Sequence, residues 1–245
     1  VLSDTLTTSG WKTCTDSTTI GNFSVIGYYF ARNLHRDLNV PIGILQAAWG
    51  GTRIEPWTSE EMYADLPAFK DFFNQKPALI SGVRPGKHFQ SMVKPLAPFA
   101  LKGVLWYQGE SNVMIHDELL YADKMQALVE GWRKTWGIQM PFYSVGIAPY
   151  YYTKRKDPIA HTTETLPKFW EGQQQSLKIP NTAMVWVTDL VDNLSDIHPP
   201  YKQDIAKRLS DLALNRDYGL KNKVISGPRY HSSKVKGNKI YVSFK

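Results

Sequence analysis

A single cysteine, Cys14, is all the thiol chemistry that 245 residues hold, so neither an intrachain disulfide nor a Cys-based metal site can be built. No apolar run approaches the ~20 residues that a membrane-spanning helix requires. No signal peptide, with its basic start and hydrophobic stretch, opens the chain either. Acidic residues are the minority, 22 against 29 Lys and Arg, which leaves a formal net charge of +7. A nucleic-acid footprint needs those cations clustered, and the densest group, Lys154, Arg155 and Lys156, is three long. The expectation is therefore no nucleic acid and no membrane, with a solvated surface mildly attractive to acidic glycans. Internal repeats and low-complexity segments are absent too.

Aromatics are plentiful, with 8 Trp and 13 Tyr, and serve equally as core filling and as platforms on which sugars stack. Past a polar, Ser/Thr-rich stretch of 20 residues read as loop, Phe23, Ile26, Tyr29, Phe30, Leu34 and Leu38 recur at helical spacing. Asn22 or Ser24 can cap that helix, and Asn39 and Pro41 stop it. The apolar run Ile42 to Trp49 predicts a strand entering the turn Gly50-Gly51-Thr52. Further on, a helix is predicted over Phe89 to Leu101 and a strand over Gly103 to Tyr107. A long helix over Glu118 to Trp136 and a strand over Pro141 to Ile147 come next. Leu166 to Leu177 reads as helix, Ala183 to Thr188 as strand and Tyr201 to Leu214 as helix. Helices alternate with strands that are continuous apolar runs, which argues for a mainly parallel sheet covered by helices on both faces. After Gly219, two β-type stretches, around Val224 and over Lys239 to Phe244, flank the turn pair Gly237-Asn238.

In open α/β sheets, chemistry gathers at the carboxyl ends of the strands. Three polar segments fall there. Gly50-Gly51-Thr52 leaves backbone N–H groups at a strand tip, as an oxyanion hole needs, although tight strand-to-helix turns use glycine as well. Gln108-Gly109-Glu110-Ser111-Asn112 offers side-chain amides and a carboxylate, a set also common in turns. Asp189 to His198 holds a histidine close behind an aspartate, the arrangement of a general base oriented by a carboxylate, or of an ordinary surface turn.

Four ordered pieces, NFSVIGYYFARNL from Asn22, NVPIGILQAAWGGTRIEPWTS from Asn39, LKGVLWYQGESN from Leu101 and DIHPPYKQDIAKRL from Asp196, together resemble the SGNH hydrolase superfamily. Within it the chain is similar to sialate O-acetylesterases and related acetyl xylan esterases, and the likeness runs from about Gly21 to Phe244. The resemblance implies an SGNH-type three-layer α/β/α fold and hydrolysis of acetyl esters on sugars, a sialoside or xylan-type glycan. It implies no metal and no organic cofactor, and a secreted or periplasmic setting. The oxyanion hole falls on Gly51 and on Gln108, with Asn112 the second choice for the amide. The base falls on His198, and Gly50, Glu110, Asn112 and Trp170 are carried as substrate-binding positions. Tyr150, Tyr151 and Tyr152 are candidates for a sugar-binding rim and equally for a packed loop.

Two departures from the family pattern stand out. Its nucleophilic serine lies in a Gly-Gln-Ser-Asn-Met segment ahead of the first helix, and residues 1–245 contain none. Ser91 sits in Phe-Gln-Ser-Met, and Ser111 lacks the Gly-x-Ser-x-Gly elbow, so neither is assigned as nucleophile. The serine, and the strand that opens the sheet, are expected in an N-terminal segment of the same protein. Residues 1–245 alone are then expected to be inactive, with an unpaired strand edge. The second departure concerns the triad acid: three residues before the base stands Ser195, so Asp196 is favoured, with Asp192 next. Residues 1–221 are read as the esterase core and 222–245 as a β-rich extension. The rival readings are a lipase or arylesterase of the same superfamily and a non-catalytic carbohydrate-binding module.

Overall fold

The computed structural model describes residues 10–15, 21–74, 76–97 and 99–244, so most of the polar stretch read as loop lies outside the described residues. Helix α1, Val25–Leu38, starts where the Ser24 hydroxyl accepts the Gly27 N–H at 3.1 Å, which makes Ser24 the cap. It ends at Asn39, whose left-handed backbone (φ 54°) turns its N–H onto the His35 carbonyl.

The predicted strand Ile42 to Trp49 does not form. Among the described residues no backbone–backbone hydrogen bond joins residues 41–50 to the rest of the chain. A strand exists by its pairing, and this segment instead walls a groove of about 1070 Å³ whose opposite wall is the first true strand. A one-turn 3₁₀ helix, Glu55–Trp57, and the short α2, Glu60–Ala64, follow. The helix predicted from Phe89 shrinks to a π turn, Phe89–Val93, and a 3₁₀ turn, Lys94–Leu96, because Pro95 supplies no N–H to continue an α ladder.

Next come β1, Val104–Trp106; α3, Glu110–Val113; α4, Tyr121–Trp136; β2, Phe142–Val145; α5, Thr165–Gln175; β3, Thr182–Val185; and α6, Lys202–Asp217. The three strands form a parallel sheet in the order β1-β2-β3, with Val104 opposite Phe142 and Phe142 opposite Thr182. Successive residues feed opposite faces. Trp106 and Phe142 pack on Met125, Leu128 and Trp132 of α4 and Phe169 of α5. Tyr143, Val145, Ala183 and Val185 meet Phe30 and Leu34 of α1 and Ile205, Leu209 and Leu212 of α6. The result is the expected α/β/α arrangement, and all four residues of β2 are buried, as a strand covered on both faces must be. β1 pairs on its β2 side; among the described residues nothing pairs with its outer edge, which faces the groove.

The C-terminal hairpin, β4 Tyr230–Lys236 and β5 Lys239–Phe244, turns at Gly237-Asn238 as expected and is exposed along both strands. Its first strand starts later than the predicted stretch around Val224, since Pro228 has no N–H to give a ladder. No helix among the described residues is long and apolar enough to cross a membrane.

Leu209 is fully buried where α6 meets the sheet. Leu209→Ala should cost about 2–5 kcal/mol of unfolding free energy, read from urea denaturation, through lost transfer energy and the cavity left. A loss under about 1 kcal/mol would contradict this packing of the sheet's second face.

Candidate active site

Gly50, Gly51, Thr52, Gln108, Glu110, Ser111, His198 and Lys202, from three segments distant in sequence, all line the one groove beside β1. Gln108 stands two residues past β1, and His198 lies in the loop between β3 and α6, so these residues meet at the carboxyl end of a groove that runs the length of β1 to Lys102 and Tyr218.

Gly51 adopts φ 72°, a left-handed conformation that strains any residue with a Cβ. Its N–H donates to no acceptor among the described residues and is available to an oxyanion. Across the groove, the Gln108 amide is pinned at both ends. Its Oε1 accepts the Tyr121 hydroxyl at 3.0 Å, while its Nε2 donates to Asn112 Oδ1 at 2.7 Å and to the Thr52 carbonyl at 3.2 Å. The bond to Thr52 is the longer and weaker of the two, and the one that an incoming oxyanion would share. Gly109, between these elements, has Ile147 and Phe169 so close that a Cβ would approach them to 2.7 and 2.9 Å. Glycine there lets the loop lie flat on the core.

His198 stands largely in solvent, its side chain 83% exposed. Its Nδ1 faces Asp196 Oδ1 at 3.4 Å, and the same oxygen accepts the His198 backbone N–H at 2.8 Å. Asp192 is held instead by the Tyr201 hydroxyl at 3.2 Å, and Asp189 by Arg208. Of the two acids left open by the sequence, Asp196 is therefore the one in contact with the histidine. No serine hydroxyl among the described residues is hydrogen-bonded to His198; Ser91 donates to the Lys87 carbonyl within its own turn.

Glu110 is largely buried at the groove floor. Burial pushes its carboxyl above the ordinary range, against the pull of the Lys202 and His198 charges. Burial likewise pulls Lys202 down, while Glu110 and Asp196 oppose.

Two residues expected to touch substrate do not face the groove. Asn112 is fully buried, with Oδ1 accepting the Ile54 N–H and the Gln108 amide, and Nδ2 donating to Asp117 at 2.7 Å and to Glu55. Every position it could offer a sugar is taken. Trp170 gives its indole N–H to the Ile147 carbonyl and packs edge-on against Trp186, so the groove is not lined by it. The tyrosine run divides: Tyr152 is core, whereas Tyr150 and Tyr151 line a separate pocket of about 310 Å³ with Lys154, Lys156 and Ser195.

Sequence reading missed Glu55, Asp117, Tyr121 and Lys124, which hold the loops from beneath. One signal was available: Lys124 lies four residues before Leu128, on the apolar stripe of α4, where a charge needs a partner. Among the described residues no group of three or more His, Cys, Asp or Glu is disposed to hold a metal ion.

A parallel sheet whose strand-end loops bring a side-chain amide and an Asp-contacted histidine to one groove, with the Gly50-Gly51 turn beside them, defines an α/β/α protein of the SGNH hydrolase type. The chain belongs to the carbohydrate esterase family of sialic acid-specific acetylesterases, whose profile matches residues 15–211. It is 35% identical over 225 residues to human sialate O-acetylesterase and 34% to that of Pongo abelii, in each case across 84% of this chain and 41% of the relative. A carbohydrate acetylesterase from Xanthomonas citri superposes with a TM-score of 0.77 at 30% identity, over 93% of this chain and 48% of that one. The chain thus spans less than half the length of these relatives.

Burial disfavours the ionised Glu110 in the folded state, so its contribution is stabilising at low pH. That contribution is lost as pH rises from the unfolded value, about 4.3, through the raised folded one. Glu110→Gln removes this dependence. The unfolding free energy of wild type minus variant should fall across that window and then level off, in urea titrations at successive pH values. A difference that stays flat from pH 4 to 8 would overturn the assignment of a burial-raised Glu110.

Proposed function

We propose that this protein hydrolyses acetyl esters on sugars, with 9-O-acetylated sialic acid as the substrate, by a Ser-His-Asp acyl-enzyme mechanism. The observation that carries the reading is that Gly51, Gln108 and His198 line one groove, with Asp196 on His198 Nδ1. The names of the human and orangutan relatives favour a sialate over a xylan-type ester. We place the nucleophilic serine on a further segment of the same polypeptide, which completes the sheet along the outer edge of β1. The groove suits that role: Val104, Leu105, Ile42 and Ile44 wall it, and a strand there would end beside Gly51, Gln108 and His198. The chain from 222 onward, with its fully exposed hairpin, fits the beginning of a β-rich module.

In the reaction, the serine Oγ bonds to the acetyl carbonyl carbon as its proton passes to His198 Nε2. Asp196 keeps the proton on Nδ1 and supports the imidazolium. The carbonyl oxygen, now an oxyanion, accepts the Gly51 N–H and the Gln108 amide. The tetrahedral intermediate then expels the sugar oxygen, which takes the proton from His198. Water repeats the sequence on the acetyl-serine, releasing acetate and restoring the hydroxyl.

In the full-length protein, His198→Ala should lower kcat/KM for p-nitrophenyl acetate and for 9-O-acetylsialic acid by roughly 10³-fold or more, with unchanged circular dichroism. Asp196→Asn should cost less, and Asp192→Asn almost nothing. Activity of His198→Ala within tenfold of wild type would sink the reading.

A further inference from the structure

Lys124 takes no direct part in ester hydrolysis at the groove, yet its ammonium is wholly enclosed and every proton on it is spoken for. It contacts both Asp117 oxygens, at 2.7 and 2.6 Å, Glu55 Oε1 at 2.8 Å and the Ser81 hydroxyl at 2.8 Å. Arg53 stands 3.6 Å from the other Glu55 oxygen, so two cations balance two carboxylates. These residues come from the turn after Gly50-Gly51, from the turn at Ser81, from the loop after α3 and from α4, and one side chain, Asn112, connects them to the groove.

An amide side chain can face either way unless its partners differ in kind. Asp117, gripped through both oxygens by an ammonium, is a carboxylate and only accepts. Asn112 must therefore turn its NH₂ toward Asp117 Oδ2, which it meets at 2.7 Å. That choice leaves Asn112 Oδ1 on the opposite side, as acceptor for Gln108 Nε2 at 2.7 Å and for the Ile54 N–H at 3.1 Å. The Thr52 carbonyl, which can only accept, takes the second Gln108 Nε2 proton at 3.2 Å, and the Tyr121 hydroxyl, 3.0 Å from both Gln108 Oε1 and its backbone carbonyl, is compatible with that orientation. The polarity of the Gln108 amide is thus set by the Thr52 carbonyl and by Asn112, whose own direction the Ile54 N–H and Asp117 fix together: reverse Asn112, and Gln108 meets a donor where it now meets an acceptor.

We propose that Lys124 and Asp117 are positioning residues for ester hydrolysis, orienting Asn112 and through it the Gln108 amide and the backbone at Ile54 that follows the Gly51 turn. The proposal rests on the reading of Gln108 as an oxyanion donor. It assigns the buried charges to the transition state rather than to substrate affinity.

The test uses the full-length protein with p-nitrophenyl acetate and, as a reporter of the oxyanion hole, an acetyl-type trifluoromethyl ketone whose hemiketal oxygen occupies it. Asp117→Asn should lower kcat by about 10- to 100-fold with KM within threefold of wild type, and should weaken the ketone by the same factor. Lys124→Arg should retain kcat to within about tenfold, since the cation survives. Should Asp117→Asn not fold, the double variant Lys124→Met with Asp117→Leu decides, because removing both partners together leaves no uncompensated charge. It should fold and show the same matched loss of kcat and ketone affinity. A folded variant whose kcat stays within threefold of wild type, or whose kcat falls while ketone binding is unchanged, overturns the proposal. Wild type inactive on acetyl esters would instead overturn the function proposed above, whereas active wild type with unaffected variants sinks only the positioning role.

Discussion

Lys124 places a fully buried ammonium between Glu55 and Asp117, and the Gly50-Gly51 turn and the loop after β1 are tied to one another through that point. Glu55 belongs to the 3₁₀ turn that follows Gly50-Gly51, Asp117 to the loop leaving α3, and Lys124 to the helix that covers one face of the sheet. Breaking such a pair from one side strands a buried charge, at a cost of about 3–5 kcal/mol, whereas replacing the whole group by apolar residues can be neutral. Stability alone is therefore a weak reason for so many charges in one place. Direction is a better one: ions fix which way a neighbouring amide points, and an apolar core cannot.

The sheet and the site depend on each other in the same manner. β2 is buried on both faces and gives Gly146 to Tyr152 a rigid base, while β1 delivers Gln108 and β3 leads to the His198 loop. Below the groove the architecture is packed, apolar but for the Lys124, Glu55 and Asp117 cluster. Around it, burial raises the Glu110 carboxyl and lowers the Lys202 ammonium, and the two charges oppose each other's shift. His198 itself, largely exposed, rests on Asp196 alone among the described residues.

What was legible in the sequence follows from the range of the forces involved. The helices α1, α4 and α6 announce themselves through apolar spacing, because one buried stripe is a local property of a chain. The strands β1, β2 and β3 are visible as short apolar runs. Ile42 to Trp49 carries the same signal and forms no strand, since pairing depends on a partner elsewhere and composition does not report it. The Phe89 helix failed for a local reason, the missing N–H of Pro95. In the site, Gln108 and His198 stand in loops that follow true strands, whereas Gly51 reaches the same groove from a segment that pairs with none. Asn112 and Trp170 look like binding residues in a motif, and only their partners in three dimensions reveal that they are already satisfied. Lys124 escaped notice for the converse reason: most lysines are solvated, and one position on an apolar stripe is a quiet anomaly.

The most direct test of the account is a crystal structure of the full-length protein inactivated by an acetyl-ester-mimicking phosphonate. Phosphorus should be bonded to a serine Oγ inside the groove. Its phosphoryl oxygen should lie about 2.7–3.1 Å from both the Gly51 nitrogen and Gln108 Nε2, with His198 Nε2 within about 3.2 Å of the serine oxygen. A phosphonylated residue outside this groove, or a phosphoryl oxygen held by other donors, would contradict it.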